Sequence, residues 1–241
     1  MLTTLLRPTR TFVVAATTLL AVLGTAGTAS ATSYTVNTAG ANLTVRSAPG
    51  AWSTAWGSVS DGSSVNVQCQ VHGGTVTGTY GTSDVWDQLA SGGFVSDTYV
   101  YTGHDGLFMT KCPYADPPPR PNPNSMNEAI SWEFAHLGST AYEGECDHFQ
   151  ALAFGWSHSG EYSAQTHWNH LRSLGLTHTS GTPPRGALVF YSNSSGTGHV
   201  VVSIGVGKVI GTSVGGDVGV AAYTYRSGYL GWATPDFPNG S

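Results

Sequence analysis

Residues Ala115-Asp116-Pro117-Pro118-Pro119-Arg120-Pro121-Asn122-Pro123-Asn124 place five prolines within ten positions. Proline fixes φ, lacks a backbone donor and drives the residue before it toward extended backbone, so no helix or central strand can run through this stretch. The chain must fold as separate pieces on either side. Residues 113–125 are expected to be a semi-rigid extended spacer between them.

The two sides carry different periodicities. Before the break, Asn42-Leu43-Thr44-Val45-Arg46 alternates and closes on Ser47-Ala48-Pro49-Gly50. Ser64-Val65-Asn66-Val67-Gln68 alternates after Asp61-Gly62, and Gly92-Gly93-Phe94-Val95 leads into Thr98-Tyr99-Val100-Tyr101. Short strands at this spacing predict a small β-barrel. After the break, Ser125 with Glu128 three residues on is a capping box, opening a helix with Ile130, Phe134 and Leu137 on one face and a stop at Gly138. A second helix carries Phe149, Leu152, Ala153 and Trp156, and a third, around 164–174, carries Trp168, Leu171 and Leu174 before Gly175. Strands follow at 187–191, 199–204, 208–210, 219–225 and 229–232. Helices first and an antiparallel sheet afterwards make an α+β domain, with the second helix packed on one sheet face.

Arg7 and Arg10, the apolar run Phe12 to Leu23 and the small residues Ala29-Ser30-Ala31 read as a secretory signal peptide, residues 1–31. The apolar run falls short of the roughly 20 residues of a membrane span. The protein is therefore expected to be secreted, extracellular or wall-associated, with no membrane contact after signal removal. Cleavage leaves seven Lys and Arg against fourteen Asp and Glu, a net charge of −7. Such a chain has no basic surface for nucleic acid or anionic lipid.

Three cysteines in an exported chain leave one unpaired. Cys69 and Cys112 share the strand-rich side and make the economical disulfide. Cys146 then stays free, three residues before Phe149 at a helix start. The free N–H groups and dipole of a helix N-terminus can draw a thiol from about 8.5 into the range of roughly 3.5 to 7.5. Asp147 opposes that shift slightly, and the plainer reading is a small buried hydrophobe. A thiol nucleophile needs a base, and His199 opens a strand directly after the loop Ser194-Ser195-Gly196-Thr197-Gly198. His167 and His170, with His158 and Glu161, lack a His-Glu-x-x-His arrangement and read as a surface helix. No metal and no cofactor is expected. Gly211-Thr212-Ser213-Val214-Gly215 matches the serine-hydrolase elbow, but Gly216-Asp217-Val218-Gly219 cannot supply the helix that motif requires. Trp52, Trp56, Tyr80, Trp86 and Tyr99 divide between barrel core and a surface that stacks sugars or peptides.

Two resemblances extend this reading. Asn42 to Gly50, Gly57-Ser58-Val59, Val85-Trp86-Asp87-Gln88-Leu89 and Gly93-Phe94-Val95-Ser96 resemble a bacterial SH3 domain, placed over residues 33–112. The resemblance implies a wall-targeting module without chemistry of its own. Tyr142-Glu143-Gly144-Glu145-Cys146, Pro184 to Tyr191, and Gly198-His199-Val200 through Ile210 resemble the NlpC/P60 family of papain-like cell-wall peptidases, placed over residues 126–241. Tyr229-Leu230-Gly231-Trp232 is similar to actinobacterial members. This resemblance implies cleavage of peptidoglycan stem peptides, often next to D-glutamate and a diamino acid, by a protein expected to be a monomer. It puts Cys146 at the nucleophile, His199 at the base and Tyr142 near the oxyanion site. Two departures stand out. Glu145-Cys146-Asp147-His148 replaces the family's Asp-Cys-Ser-Gly, and Gly211 falls where a polar residue should orient the histidine. Thr212, Ser213 or a backbone carbonyl would have to substitute. The alternatives are a catalytically inactive wall-binding protein and a CHAP-type amidase.

Overall fold

The computed structural model describes residues 31–241. The expected signal peptide, apart from Ala31, lies outside the described residues. Seven antiparallel strands form the first sheet: β1 Thr32–Val36, β2 Leu43–Arg46, β3 Ala55–Val59, β4 Ser64–Gly78, β5 Gly81–Leu89, β6 Phe94–Ser96 and β7 Val100–Tyr101. They lie in the order β3-β2-β6-β5-β4-β1-β7. Alternation along β2 and β4 turns Leu43, Val45, Val65 and Val67 inward against Val36, Leu89, Val95 and Val100. The expected disulfide is present, joining Cys69 on β4 to Cys112.

The second sheet contains β8 Thr177–His178, β9 Leu188–Tyr191, β10 His199–Gly205, β11 Lys208–Gly211, β12 Gly219–Ala222 and β13 Tyr229–Ala233, in the order β12-β11-β10-β9-β13-β8. Its pairs are antiparallel. Three helices precede or interleave with it: α1 Met126–Ala135, α2 Cys146–Ala153 and α3 Ala164–Ser173. Val200, Val202, Ile204, Leu188, Phe190 and Ile210 form one core with Ile130, Phe134, Phe149, Trp168 and Leu171 of the helices. Residues one step out of phase, Val189, Tyr191, Val201 and Val209, cluster on the opposite face. The architecture is α+β, as the order of periodicities predicts.

The capping box at Ser125 forms, with the Ser125 N–H donating to the Glu128 carboxylate at 2.8 Å and the Glu128 N–H donating to the Ser125 hydroxyl at 3.3 Å. An N-cap of this kind stabilises a helix by about 1 kcal/mol. Helix α1 stops at Ala135, and Gly138 takes φ +78° just beyond it. Leu137 thus lies past the last helical residue and stays 41% exposed instead of joining the apolar face. Leu174 follows the end of α3 in the same way and is also exposed.

The proline segment differs from the expected spacer. Extended proline-rich backbone makes no internal hydrogen bonds, which leaves its side chains to bind the neighbouring surface. Arg120 lies over the Trp156 ring at 4.0 Å and donates to the carbonyls of Phe237 and Gly240. Asn122 donates to the Pro235 carbonyl and accepts from Trp156 Nε1, and Asn124 donates to the Ala153 carbonyl.

The two sheets are also joined directly. Arg185 is fully buried, donates to the Ile204 carbonyl at 3.0 Å and to the Ser47 carbonyl, and sits over Phe94 at 4.6 Å. Burial lowers its pKa to about 10, so it remains a cation at neutral pH, held by carbonyl dipoles. Gln88 Nε2 donates to the Ile204 carbonyl at 3.1 Å, and Trp56 meets Phe134 with ring centroids 4.8 Å apart.

Candidate functional site

Cys146 is the first residue of α2 and the free cysteine of the described chain, half-buried against the helical core. It lines a cleft of about 610 Å³ with Asp147, His148, Glu161, Tyr162 and Gly198. Helix α2 packs on β10, and the thiol faces the backbone N–H of Val200, the residue after His199. The helix start is therefore where the sequence places it, but the thiol is not acidic. Burial raises its pKa first and the Asp147 charge adds to that; the N–H groups of Val200 and Asp147 and the Arg226 charge oppose without overcoming them.

His199 is 5% exposed at the mouth of β10. Its imidazole shares the sheet face of Tyr191, 6.1 Å away between centroids, and its Nε2 is hydrogen-bonded to the Tyr225 hydroxyl at 3.0 Å. Burial, and then the Arg226 charge, lower its pKa to about 3, so the ring is neutral. Strand alternation directs Val200 toward α2 and His199 away from it. The structure brings thiol and imidazole to one strand mouth without joining them: among the described residues, no hydrogen bond links Cys146 to His199. Tyr225 occupies the imidazole instead, and its phenol pKa is raised by burial first and by Cys146 last, against the opposing hydrogen bond and charge of Arg226.

The other expected site residues are distributed as follows. Tyr142 sits in an aromatic cluster, with its ring 5.0 Å from Phe149, 6.2 Å from Trp132 and 5.8 Å from His136. Thr212 is buried and its Oγ1 has no hydrogen-bond partner. Ser213, at φ +55°, gives its N–H and hydroxyl to the Glu143 carboxylate at 2.9 and 2.7 Å. Neither Thr212 nor Ser213 is hydrogen-bonded to His199; Tyr225 holds that position. The elbow motif ends β11 and leads to β12, not to a helix.

Sequence reasoning missed Tyr225, which is 26 positions from His199 and carries no motif. It also misplaced His167. That residue was expected on a surface helix, yet it is fully buried, hydrogen-bonded through Nδ1 to Asp147 at 2.7 Å and through Nε2 to the Asp236 carbonyl at 2.8 Å. Asp147 follows the cysteine directly, so this pair fixes the first turn of α2 against α3 and the C-terminal segment. His170 pairs with Glu161 at 2.7 Å, and His148 with Glu145 at 2.8 Å.

No family model matches the chain. Two curated relatives from Bacillus subtilis (strain 168) are similar to part of it. The uncharacterized protein YraI is 48% identical over 91 residues, 33% of this chain and 74% of YraI. The uncharacterized protein YraJ is 46% identical over 88 residues, 33% of this chain and 75% of YraJ. Among solved structures, NlpC1 from Trichomonas vaginalis aligns over 87% of this chain and 69% of its own at TM-score 0.37 and 14% identity. NlpC2 from the same organism aligns over 87% and 72% at TM-score 0.35 and 13% identity. Likeness at these TM-scores carries no argument for fold or reaction.

Proposed function

The chain belongs, over a third of its length, to the family of YraI and YraJ, and we propose that it is a secreted cysteine peptidase of peptidoglycan. Both relatives are uncharacterized, so the reaction is inferred from the cleft. The observation that carries it is an unbridged thiol at a helix start, lining a cleft of about 610 Å³ and facing the backbone N–H of Val200, the residue that follows the buried neutral His199.

The proposed resting state is a neutral thiol and a neutral imidazole held apart, the imidazole by the Tyr225 hydroxyl. Substrate entering the strand mouth displaces the Tyr225 hydroxyl, and His199 turns to take the Cys146 proton. The thiolate attacks the scissile carbonyl of a stem peptide, forming the C–S bond, and His199 then protonates the departing amine as the C–N bond breaks. His199 next takes a proton from water, whose oxygen attacks the thioester and restores the thiol. The first N–H groups of a helix have no intrahelical partners, so the Cys146 N–H is free to stabilise the oxyanion with a neighbouring donor. Tyr225 holds His199 in the resting state and releases it when substrate enters. The first sheet, SH3-like in sequence, serves as the wall-targeting module.

Mass spectrometry of muropeptides released from purified walls tests this reading. Cys146→Ala should abolish release, and His199→Ala should lower the rate about 10²- to 10⁴-fold, the usual worth of a positioned base. Tyr225→Phe should shift the pH profile of kcat while leaving thermal unfolding unchanged. Undiminished release by the Cys146→Ala variant refutes the assignment. A second reading, a wall-binding protein without turnover, is favoured by the engagement of His199 with Tyr225 instead of the thiol. Under it, wild type and Cys146→Ala would sediment equally with walls and neither would release peptide.

A further inference from the structure

On the first sheet, remote in sequence from Cys146, the tip of the β4–β5 hairpin and the segment after β6 enclose a cleft of about 570 Å³. Two tyrosines flank it, Tyr80 at 42% and Tyr101 at 61% exposed, with centroids 5.6 Å apart and planes at 44°. Trp86 and Phe94 of the same sheet are fully buried, so these exposed rings are not needed for the core. No Lys or Arg lines the cleft, and an anionic ligand would find no counter-charge there.

Asp97 lines the cleft although only 7% exposed, and Asp105 stands beside it. Asp87 is fully buried, does not line the cleft, and is hydrogen-bonded through its carboxyl to Asp97. Gln70 Nε2 donates to Asp87 Oδ1 at 2.8 Å and to Asp97 Oδ1 at 3.3 Å. Among the described residues, no Lys, Arg or His forms an ion pair with either carboxyl. Burial, reinforced by their mutual repulsion at Asp87, raises Asp87 to about 7; burial raises Asp97 to about 6. Ionised carboxyls out of water without a cation are costly, and a buried carboxylate ordinarily finds one. Aromatic faces beside carboxylates are what an ammonium group recognises, through cation–π attraction together with the ion pair.

We propose that this cleft binds a primary alkylammonium group, which pairs with Asp97 and Asp105 and lies against Tyr80 and Tyr101. Such a group is carried by a peptide diamino-acid side chain or by an amino sugar with a free amine. The proposal does not depend on the reaction assigned to Cys146.

Calorimetric titration of the full chain at pH 8, where Asp97 is ionised, separates the possibilities. The probes are Nα-acetyl-lysine methylamide, glucosamine and the neutral N-acetylglucosamine. At least one ammonium probe should bind at least tenfold more tightly than N-acetylglucosamine, and the tighter of the two identifies peptide or sugar as the source. Tyr101→Ala should weaken that probe about two- to fivefold, the worth of an exposed cation–π contact, and Asp105→Asn should weaken it in the same direction. Tyr101 and Asp105 are exposed, so both variants should unfold at the wild-type temperature. Absence of binding by both ammonium probes, equal binding of N-acetylglucosamine, or unchanged affinity in Tyr101→Ala overturns the proposal, while release of muropeptides would be unaffected by any of these results.

Discussion

The pair His167–Asp147 offers the sharpest test of how the thiol is held in place. Its 2.7 Å contact is buried on the histidine side and nearly so on the aspartate side, and the second imidazole nitrogen is taken by the Asp236 carbonyl. His167→Leu leaves the Asp147 carboxylate in low dielectric without its partner. Removing one member of a buried pair costs about 3–5 kcal/mol. At a urea m-value of about 2 kcal/mol/M, the unfolding midpoint should fall by roughly 1.5–2.5 M. The double variant Asp147→Leu, His167→Leu removes both charges and should recover at least half of that loss, because an apolar pair carries no desolvation penalty. Burial alone would lower the His167 pKa, yet the hydrogen bond and charge of Asp147 raise it overall. A histidine raised in the folded state stabilises fully below its unfolded value, about 6.5, and loses that contribution as pH rises through its folded value. The deficit of His167→Leu should therefore narrow as pH rises above the unfolded value of about 6.5. Urea melts followed by tryptophan fluorescence at several pH values read both quantities. A single-variant loss under about 1 kcal/mol, or a deficit that grows with pH, refutes the reasoning.

Two further outcomes follow from the thiol and the disulfide. The raised Cys146 pKa predicts that alkylation by iodoacetamide in the absence of substrate climbs only above the ordinary thiol value of about 8.5; half-maximal labelling by pH 7, read by intact-mass spectrometry, would contradict the burial argument. The Cys69–Cys112 bridge spans a sequence separation of 43, and loop-closure entropy for that length gives about 4 kcal/mol. Dithiothreitol should lower the first sheet's unfolding midpoint accordingly, and an unchanged midpoint would show that the Gln70–Asp87–Asp97 network holds the 102–112 segment without the bridge.

Much of the fold was legible because it rests on local rules. The Ser125–Glu128 capping box, the helix beginning at Cys146 and the apolar runs of β9 and β10 each declare themselves within a few residues. Leu137 and Leu174 were misread because helical phase was extended past the true ends, by two residues at Leu137 and by one at Leu174. The proline segment was expected to be an extended spacer; its docking depends on Trp156 and on the carbonyls of Phe237 and Gly240, which no local pattern couples to it. At the site, the free thiol followed from cysteine count and position. Its raised pKa did not, since burial against β10 outweighs the helix terminus. Tyr225 and the His167–Asp147 pair join residues 26 and 20 positions apart, contacts that only the folded chain reveals.

Arg185 has a consequence for dissecting the protein. Its guanidinium belongs to the second half of the chain, while the Ser47 carbonyl and the Phe94 ring that receive it belong to the first. Severing the chain within the prolines would strip that cation of part of its solvation shell and uncover the apolar Trp56–Phe134 seam. Each fragment would then carry a sticky, unfinished surface, so the halves of this molecule are best produced as one polypeptide.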